Sequence, residues 1–227
     1  MGVKYIDLSD ETLEVMRRIY NPLRSKAHRV LTRYVVAYSK SPEIAFIVKC
    51  KGEEQFIEVF KKYRLSGYMG LCIGLFRGSG DNILSVYGYD RVFFDCECKA
   101  TAKIVYDVLV NNFNIVPLII DTGGRGYHLI VFITNMYSRS PNTVYIVYKL
   151  FTTAFEELAK RKVYRLDMFI GSQLVTYHVV PYTYRERYRR FSCICNEEFE
   201  CVEPKEALSL IDKAIRKGVS YTFRLSL

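Results

Sequence analysis

Two clusters of polar residues near the middle of the chain have the types and spacing of a site for metal ions and a polyphosphate. The first is Asp95-Cys96-Glu97, which directly follows Phe93-Phe94. The second is the glycine-rich segment Thr122-Gly123-Gly124-Arg125-Gly126-Tyr127-His128. Carboxylates are ligands for divalent cations, and successive backbone N–H groups beside basic side chains bind phosphate. Each cluster also has an ordinary structural interpretation.

The acid pair ends an apolar run that predicts a short buried strand from Val92 to Glu97. Side chains alternate between the faces of a strand, so Asp95 and Glu97 share one face. Two carboxylates on one face repel each other and are costly to desolvate unless a cation lies between them. All-oxygen ligation suits Mg²⁺ or Mn²⁺. The alternative is that both acids are hydrated where the strand enters solvent, and Asp-x-Glu alone favours this alternative.

The glycine-rich segment joins two strongly apolar runs, which an ordinary hairpin turn can also do. Its three glycines are more than a turn needs, and they allow backbone N–H groups to surround an anion. Arg125 adds a bidentate phosphate donor, Thr122 adds a hydroxyl, and His128 can reach the same anion. A buried histidine taken alone is more often a structural residue. The segment lacks the strand–loop–helix order of a Walker loop or a dinucleotide fingerprint, so it predicts a different phosphate-binding device.

Composition limits the classes of protein that the chain can be. Half of the 227 residues are apolar, which suits one compact domain with a sizeable core. The net charge of +9 favours an anionic partner, most commonly nucleic acid, although many soluble proteins are equally basic. No apolar run reaches the roughly 18 residues of a membrane span, and no signal-peptide pattern begins the chain. We therefore expect a cytoplasmic protein without a membrane partner.

Hydrophobic periodicity predicts the elements that must position these residues. Helices are predicted at 10–20, 52–63, 99–112, from Pro141 onward, and at 204–218. Strands are predicted at 33–38, 44–50, 68–76, 92–97, 116–120, 127–133 and 173–180. The order of helices and strands predicts an α/β (α+β) fold.

Taken in order, the motifs resemble the archaeo-eukaryotic primase (primase-polymerase) superfamily. That family has two apolar residues before Asp-x-Asp/Glu, a helix, a strand leading into Ser/Thr-Gly-x-x-Gly-x-His, and then a third acid. Here these are Phe93 to Glu97, Thr122 to His128, and Asp167 in Tyr164-Arg165-Leu166-Asp167. The combination is far more specific than any of its parts. It covers the centre and second half of the chain.

The resemblance implies one primase-like catalytic domain over residues 1–227, in which an N-terminal α/β module packs on an RRM-like module. We expect the α/β lobe at 1–90, the RRM-like catalytic lobe at 91–203 and a C-terminal helix at 204–227. No zinc-knuckle insertion separates the first two motifs. The chain therefore looks like a minimal form, similar to plasmid, viral or defence-associated members, and we expect an archaeal plasmid or virus as its source.

The resemblance also implies an activity and its residues. The family transfers nucleotides from NTPs or dNTPs on a single-stranded DNA template, with or without a primer, in replication or repair. Asp95, Glu97 and Asp167 would hold two Mg²⁺ or Mn²⁺ ions. The incoming triphosphate would be bound by Thr122, Gly123, Gly124, Arg125, Gly126 and His128. A helicase or accessory primase subunit would have to come from another chain.

The chain departs from the family pattern after the third acid. The family usually carries an arginine two residues before a proline, but Val179 occupies that position before Pro181. A basic residue, His178, lies one position out of register. Arg185 or Arg187 could replace the missing phosphate contact.

A basic and aromatic stretch follows Pro181. Its arginines are Arg185, Arg187, Arg189 and Arg190, and its tyrosines are Tyr182, Tyr184 and Tyr188. Such a stretch can follow a nucleic-acid backbone and stack on bases. The alternative is a solvated strand edge whose arginines prevent pairing with other chains. With the resemblance, we favour nucleic acid.

Three cysteines close to one another, Cys193, Cys195 and Cys201, have several interpretations. They are one thiol short of a structural zinc site, which His178 could complete. Cys193 and Cys195 share a face of the predicted strand, so simple packing is the plainest interpretation. A disulfide is about as well supported as zinc.

The sequence therefore predicts a primase or primase-polymerase. One alternative is a catalytically weak or inactive primase-like subunit that binds nucleic acid. Another is a different metal-dependent nucleotidyltransferase or a nuclease.

Overall fold

Two largely antiparallel sheets form the framework of the described part of the chain. A computed structural model describes residues 7–24, 32–38, 45–76, 86–134, 166–167 and 177–220. The helices are α1 Asp10–Tyr20, α2 Glu53–Tyr63, α3 Lys99–Phe113 and α4 Pro204–Arg216. The strands of the first sheet are β1 Thr32–Tyr38, β2 Ala45–Lys51, β3 Met69–Cys72, β4 Gly74–Phe76, β5 Val86–Tyr89 and β10 Tyr177–Val179. Those of the second are β6 Arg91–Cys96, β7 Leu118–Asp121, β8 Tyr127–Thr134, β9 Leu166–Asp167, β13 Cys193–Cys195 and β14 Val219–Ser220.

A small hairpin lies outside the two sheets. It consists of β11 Tyr184–Arg185, a single 3₁₀ turn Glu186–Tyr188, and β12 Arg190–Phe191. Arg189 ends the turn in the left-handed backbone conformation, with φ of 51°. The predicted basic and aromatic stretch forms this hairpin from Tyr184 onward, whereas Tyr182 is completely buried.

Local sequence explains where the helices begin. The side chain of Ser9 accepts a hydrogen bond of 3.2 Å from the Thr12 amide at the start of α1, which is an N-cap. Pro204 occupies the first turn of α4, where its missing N–H has no helical acceptor to lose. The predicted strand at 68–76 is interrupted at Ile73, and its two parts both pair with β1. The predicted helix from Pro141 lies outside the described residues.

Two helices pack against the second sheet. Helices α3 and α4 pack against its central strands, and Phe94 and Cys96 of β6 are completely buried. The order of its strands is β13-β7-β8-β6-β9, with β14 added alongside β8. A largely antiparallel sheet packed against helices agrees with the predicted mixed α/β class. None of the described helices is long and apolar enough to cross a membrane.

The first sheet receives one strand from the second half of the chain. Strand β10 pairs with β3 at the sheet's edge, with His178 opposite Leu71 and Val179 opposite Gly70. The two sheets are also joined by buried charges: Arg33 of β1 and Arg91 of β6 both contact the carboxylate of Asp90. All three side chains are at most 2% exposed. Residues far apart in sequence thus meet where the two sheets adjoin.

Candidate active site

Asp95 is the middle residue of a row that crosses the second sheet. In the antiparallel register it lies opposite His128 of β8 on one side and opposite Asp167 of β9 on the other. Directly opposite residues share a face of the sheet. The Nε2 atom of His128 lies 3.4 Å from Oδ1 of Asp95. One residue from each of the three predicted motifs is therefore placed on the same row.

The acid pair lies where β6 ends. Asp95 has 42% of its side chain exposed, so solvent and ligands reach it. Glu97 is exposed and follows the last residue of the strand, while Cys96 is completely buried on the opposite face. Cys98 is partly exposed and is the N-cap residue of α3.

The ring of His128 is held in one orientation. The Val179 amide donates a hydrogen bond of 3.0 Å to its Nδ1 atom. Because Nδ1 accepts, the neutral ring carries its proton on Nε2, the nitrogen that faces Asp95. The ring of Phe93 packs against the imidazole with 4.8 Å between ring centroids. His128 therefore presents an N–H donor beside the acid.

The glycine-rich loop is closed by its own hydrogen bonds. The amide and the hydroxyl of Thr122 both donate to the carbonyl oxygen of Gly126, over 3.1 and 2.9 Å. The Gly123 amide donates to Oδ1 of Asp121 over 2.8 Å. The Thr122 hydroxyl and the Gly123 amide thus maintain the shape of the loop. Arg125 is the exposed side chain of the loop.

Two of the loop glycines are required by space. A Cβ atom at Gly126 would lie 2.5 Å from the carbonyl oxygen of Cys96. Gly123 has φ of 70°, and a Cβ there would lie 2.8 Å from the Ser192 amide nitrogen. Gly124 is less constrained, because the nearest atom, in the Tyr188 ring, would be 3.2 Å away. The loop is therefore held between the end of β6 and the basic hairpin.

The four arginines of the predicted nucleic-acid stretch have different surroundings. Arg190 forms an ion pair with Asp121, at the start of the glycine-rich loop. Arg185 is half-buried beside Gly123, with its guanidinium 4.5 Å from the ring centroid of Tyr68. Arg187 and Arg189 are exposed. The hairpin thus directs two arginines towards the loop and two towards solvent.

Asp121 was not among the residues predicted for the site. It is 5% exposed, and burial raises the pKa of its carboxyl group, while the Gly123 amide and Arg190 act in the opposite direction. Its position directly before the glycine-rich segment was the only signal in the sequence. The carboxylate connects the loop to the hairpin.

The side chains of the two residues at the departure from the family pattern are both buried. His178 is completely buried, and its Nε2 atom accepts a hydrogen bond of 3.2 Å from Nη1 of Arg91. Burial and the neighbouring Arg91 lower the pKa of the His178 ring well below its usual range. Val179 is 1% exposed. Neither side chain can replace the missing phosphate contact, and His178 is not available as a zinc ligand.

The three neighbouring cysteines contain a disulfide between Cys193 and Cys201. The Sγ atom of Cys195 lies 3.9 Å from that of Cys193, and burial raises the pKa of its thiol to about 12. The three sulfurs lie within 4.8 Å of one another. With the disulfide formed, one protonated thiol is left, which is too few ligands for structural zinc.

Known proteins share this architecture although the sequence matches no model of a protein family and no curated protein. The polymerase domain of Mycobacterium tuberculosis Ligase D, solved in complex with DNA, aligns with a TM-score of 0.54 and 12% identity over 91% of this chain and 88% of that one. The chain has the fold of this polymerase domain. The mixed α/β class predicted from the sequence is thereby confirmed.

Two further solved structures are similar. The primase-polymerase (AEP) domain of cyanophage S-2L has a TM-score of 0.48 and 13% identity, covering 88% of this chain and 94% of that one. The catalytic domain of primase RepB', in complex with initiator DNA, has a TM-score of 0.49 and 12% identity, and the alignment covers 92% of this chain and 99% of that one.

Proposed function

We propose that this protein is a template-dependent nucleotidyltransferase, a primase or primase-polymerase that adds NTPs or dNTPs to a strand paired with single-stranded DNA. The observation that carries the proposal is the register of β6, β8 and β9, which places Asp95 between His128 and Asp167. If Asp95 were only a hydrated residue at a strand end, there would be no reason for residues from three separate motifs to lie on one row of the sheet.

The donors in this row fit Mg²⁺ or Mn²⁺. Asp95 and Asp167 are directly opposite in the register, a position in which like charges destabilise a sheet unless a cation compensates them. Glu97 is exposed immediately beyond the strand. Asp95, Glu97 and Asp167 would hold the two ions, which when bound activate the attacking hydroxyl group and stabilise the leaving pyrophosphate.

The incoming triphosphate would be bound by donors around the glycine-rich loop. His128 directs its Nε2–H beside Asp95, and Arg125 is exposed at the loop. Arg185 lies against Gly123, so of the two candidates for the missing arginine it is the better placed. Thr122 and Gly123 would act by maintaining the shape of the loop.

The template would lie along the exposed side of the hairpin. Arg187 and Arg189 are exposed there, and the Arg187 guanidinium lies 5.6 Å from the ring centroid of Tyr188. Arginine side chains bind the phosphate backbone of a nucleic acid, and tyrosine rings stack on its bases with little dependence on sequence. The similar polymerase domain of Ligase D was solved with DNA, which supports a DNA template here.

A second candidate is a primase-like subunit that binds DNA without polymerising. It is favoured by Val179 and His178, both buried where the family usually carries a phosphate-binding arginine. Such a subunit would bind DNA but would show no metal-dependent binding of nucleotides by calorimetry.

The deciding experiment is primer synthesis and extension. The protein is incubated with single-stranded DNA, labelled NTPs or dNTPs, and Mg²⁺ or Mn²⁺, with and without an annealed primer. We expect products from the wild type and from Glu58→Gln, a surface control on α2, but none from the double variant Asp95→Asn, Glu97→Gln. Equal products from the double variant would refute the proposal. Cleavage of DNA without nucleotides would instead indicate a nuclease.

A further inference from the structure

A continuous set of buried hydrogen bonds leads from the junction of the two sheets to the face that carries Asp95. Arg91 donates to Asp90 through Nε over 2.8 Å and to His178 Nε2 through Nη1 over 3.2 Å. His178 donates through Nδ1 to the carbonyl oxygen of Val179 over 2.8 Å. The amide of the same Val179 donates to Nδ1 of His128 over 3.0 Å.

The charges at the beginning of this set determine the state of His178. Among the described residues, Arg33 and Arg91 are both buried against the carboxylate of Asp90, which leaves one excess positive charge within this set of three side chains. A second proton on a completely buried imidazole would add to that excess in a medium of low dielectric constant. His178 is therefore neutral, with Nε2 as the acceptor for Arg91 and the proton on Nδ1.

The tautomer of His178 matters because Val179 connects the two histidines. When Nδ1 of His178 carries the proton, it binds the Val179 carbonyl and fixes the orientation of this residue at the end of β10. The Val179 amide is then directed at His128, and its donation to Nδ1 leaves the His128 proton on Nε2. The Phe93 ring lies against both imidazoles, with centroid distances of 4.8 and 6.1 Å.

We propose that His178 is a positioning residue: through Val179 it fixes the tautomer and the orientation of His128, so that Nε2–H faces the row of acids and the triphosphate. The benefit to nucleotide binding rests on the proposed function, whereas the positioning of the ring does not. A hydrophobic residue at 178 would fill the same space but would leave Nη1 of Arg91 without this acceptor.

The first test uses the wild-type protein and needs no activity. The chain has only three histidines, His28, His128 and His178, so the ring nitrogens of a ¹⁵N-histidine sample can be resolved and assigned by substitution. At about pH 8, where neutral imidazole dominates, we expect Nε2–H for His128 and Nδ1–H for His178. The opposite tautomer at either ring would overturn the proposal.

The second test compares two substitutions. In His178→Gln the amide can still accept from Arg91 and donate to Val179, so we expect the His128 tautomer and the nucleotide KM to stay near wild type. In His178→Leu both bonds are lost, so we expect mixed His128 tautomers and a KM for nucleotide about tenfold higher, with a smaller change in kcat. A folded His178→Leu protein with the wild-type His128 tautomer would refute the positioning role.

The outcomes separate this inference from the proposed function. If the wild type makes no primers but shows the expected tautomers, the proposed function fails and the positioning stands. Circular dichroism shows whether His178→Leu folds. If it does not fold, the positioning role is judged from the histidine ¹⁵N spectra of the wild type and of His178→Gln. Loss of Nε2–H at His128 in the glutamine variant would count against the proposal.

Discussion

His128 and Asp95 lie directly opposite each other on neighbouring antiparallel strands, with 3.4 Å between Nε2 and Oδ1. The donor and the acid come from motifs more than thirty positions apart in the chain. Because the distance between them is set by strand pairing, the site is held by a rigid element rather than by a flexible loop.

Replacing Asp95 by asparagine should reduce activity without reducing the stability of the fold. Asp95 lies opposite another acid, Asp167, in the register, and like charges in that position destabilise a sheet, so we expect the melting temperature to stay equal or rise. Nucleotide incorporation should fall by about a hundredfold or more, since one electrostatic contact to the reacting groups is lost. Thermal denaturation measures the stability of the variant and primer extension measures its activity, with Glu58→Gln as the control in both. A large loss of stability would contradict the placement of Asp95.

Two alanine substitutions in the glycine-rich loop should differ. Gly126→Ala places a methyl group 2.5 Å from the Cys96 carbonyl oxygen, and we expect it to destabilise the protein by about 1–3 kcal/mol. Gly124→Ala meets a ring carbon of Tyr188 at 3.2 Å and Oγ1 of Thr122 at 3.4 Å, both in side chains, and should cost much less. Urea denaturation of both variants measures the difference. Equal effects would mean that the loop does not approach β6 as described.

The stability of the protein should depend on pH through His178. Its pKa is lowered in the folded state, so the unfolded chain takes up a proton first as the pH falls. Stability from this residue is present above about pH 6.5 and is lost below it, at up to about 1.4 kcal/mol per pH unit. His178→Gln lacks this dependence. Urea denaturation between about pH 7 and 5 should therefore show a steeper loss for the wild type; parallel curves would contradict a neutral buried ring.

The disulfide should be detectable by counting thiols. The chain has seven cysteines, of which five are free. Thiol titration under denaturing conditions should give five groups before reduction and seven after it. Closing a loop with a sequence separation of 8 contributes about 2–3 kcal/mol, so Cys201→Ser should lower the melting temperature. Cys195→Ala, which keeps the bridge, is the control for cysteine substitution. Seven thiols before reduction would disprove the pairing.

Substitutions of the hairpin arginines should have two kinds of effect, one on the salt dependence of DNA binding and the other on the melting temperature. Arg187→Ala and Arg189→Ala should each reduce the slope of log K against log[salt] by about 1 while leaving the melting temperature unchanged. Arg190→Ala should lower the melting temperature, because it leaves the buried Asp121 carboxylate without its guanidinium partner. If all three variants behaved alike, the different surroundings of these side chains would have no functional meaning.

Much of the architecture could be predicted from local pattern. Ser9 and Pro204 identify the starts of their helices, and the apolar runs around the glycine-rich segment identify two strands. These signals are local, because capping and periodicity depend on residues a few positions apart. The mixed α/β class follows from them directly.

The long-range features could not be predicted in this way. Nothing near Asp121 indicates that it pairs with Arg190, 69 positions further along the chain. The neutral state of His178 depends on its burial beside Arg91, and these two residues meet only after the sheets have formed. Three cysteines allow several pairings, and the distances in the fold select Cys193 with Cys201.

Strand β10 has a consequence for any attempt to divide the chain. It pairs with β3 in the first sheet, yet the Val179 amide supports His128 in the second. A fragment that begins at β6 would contain the three acids and the glycine-rich loop but would lack the sheet on which β10 is placed. Both sheets are therefore needed to hold the candidate site, and a cut before β6 would remove the support for His128 while leaving the three acids in the fragment.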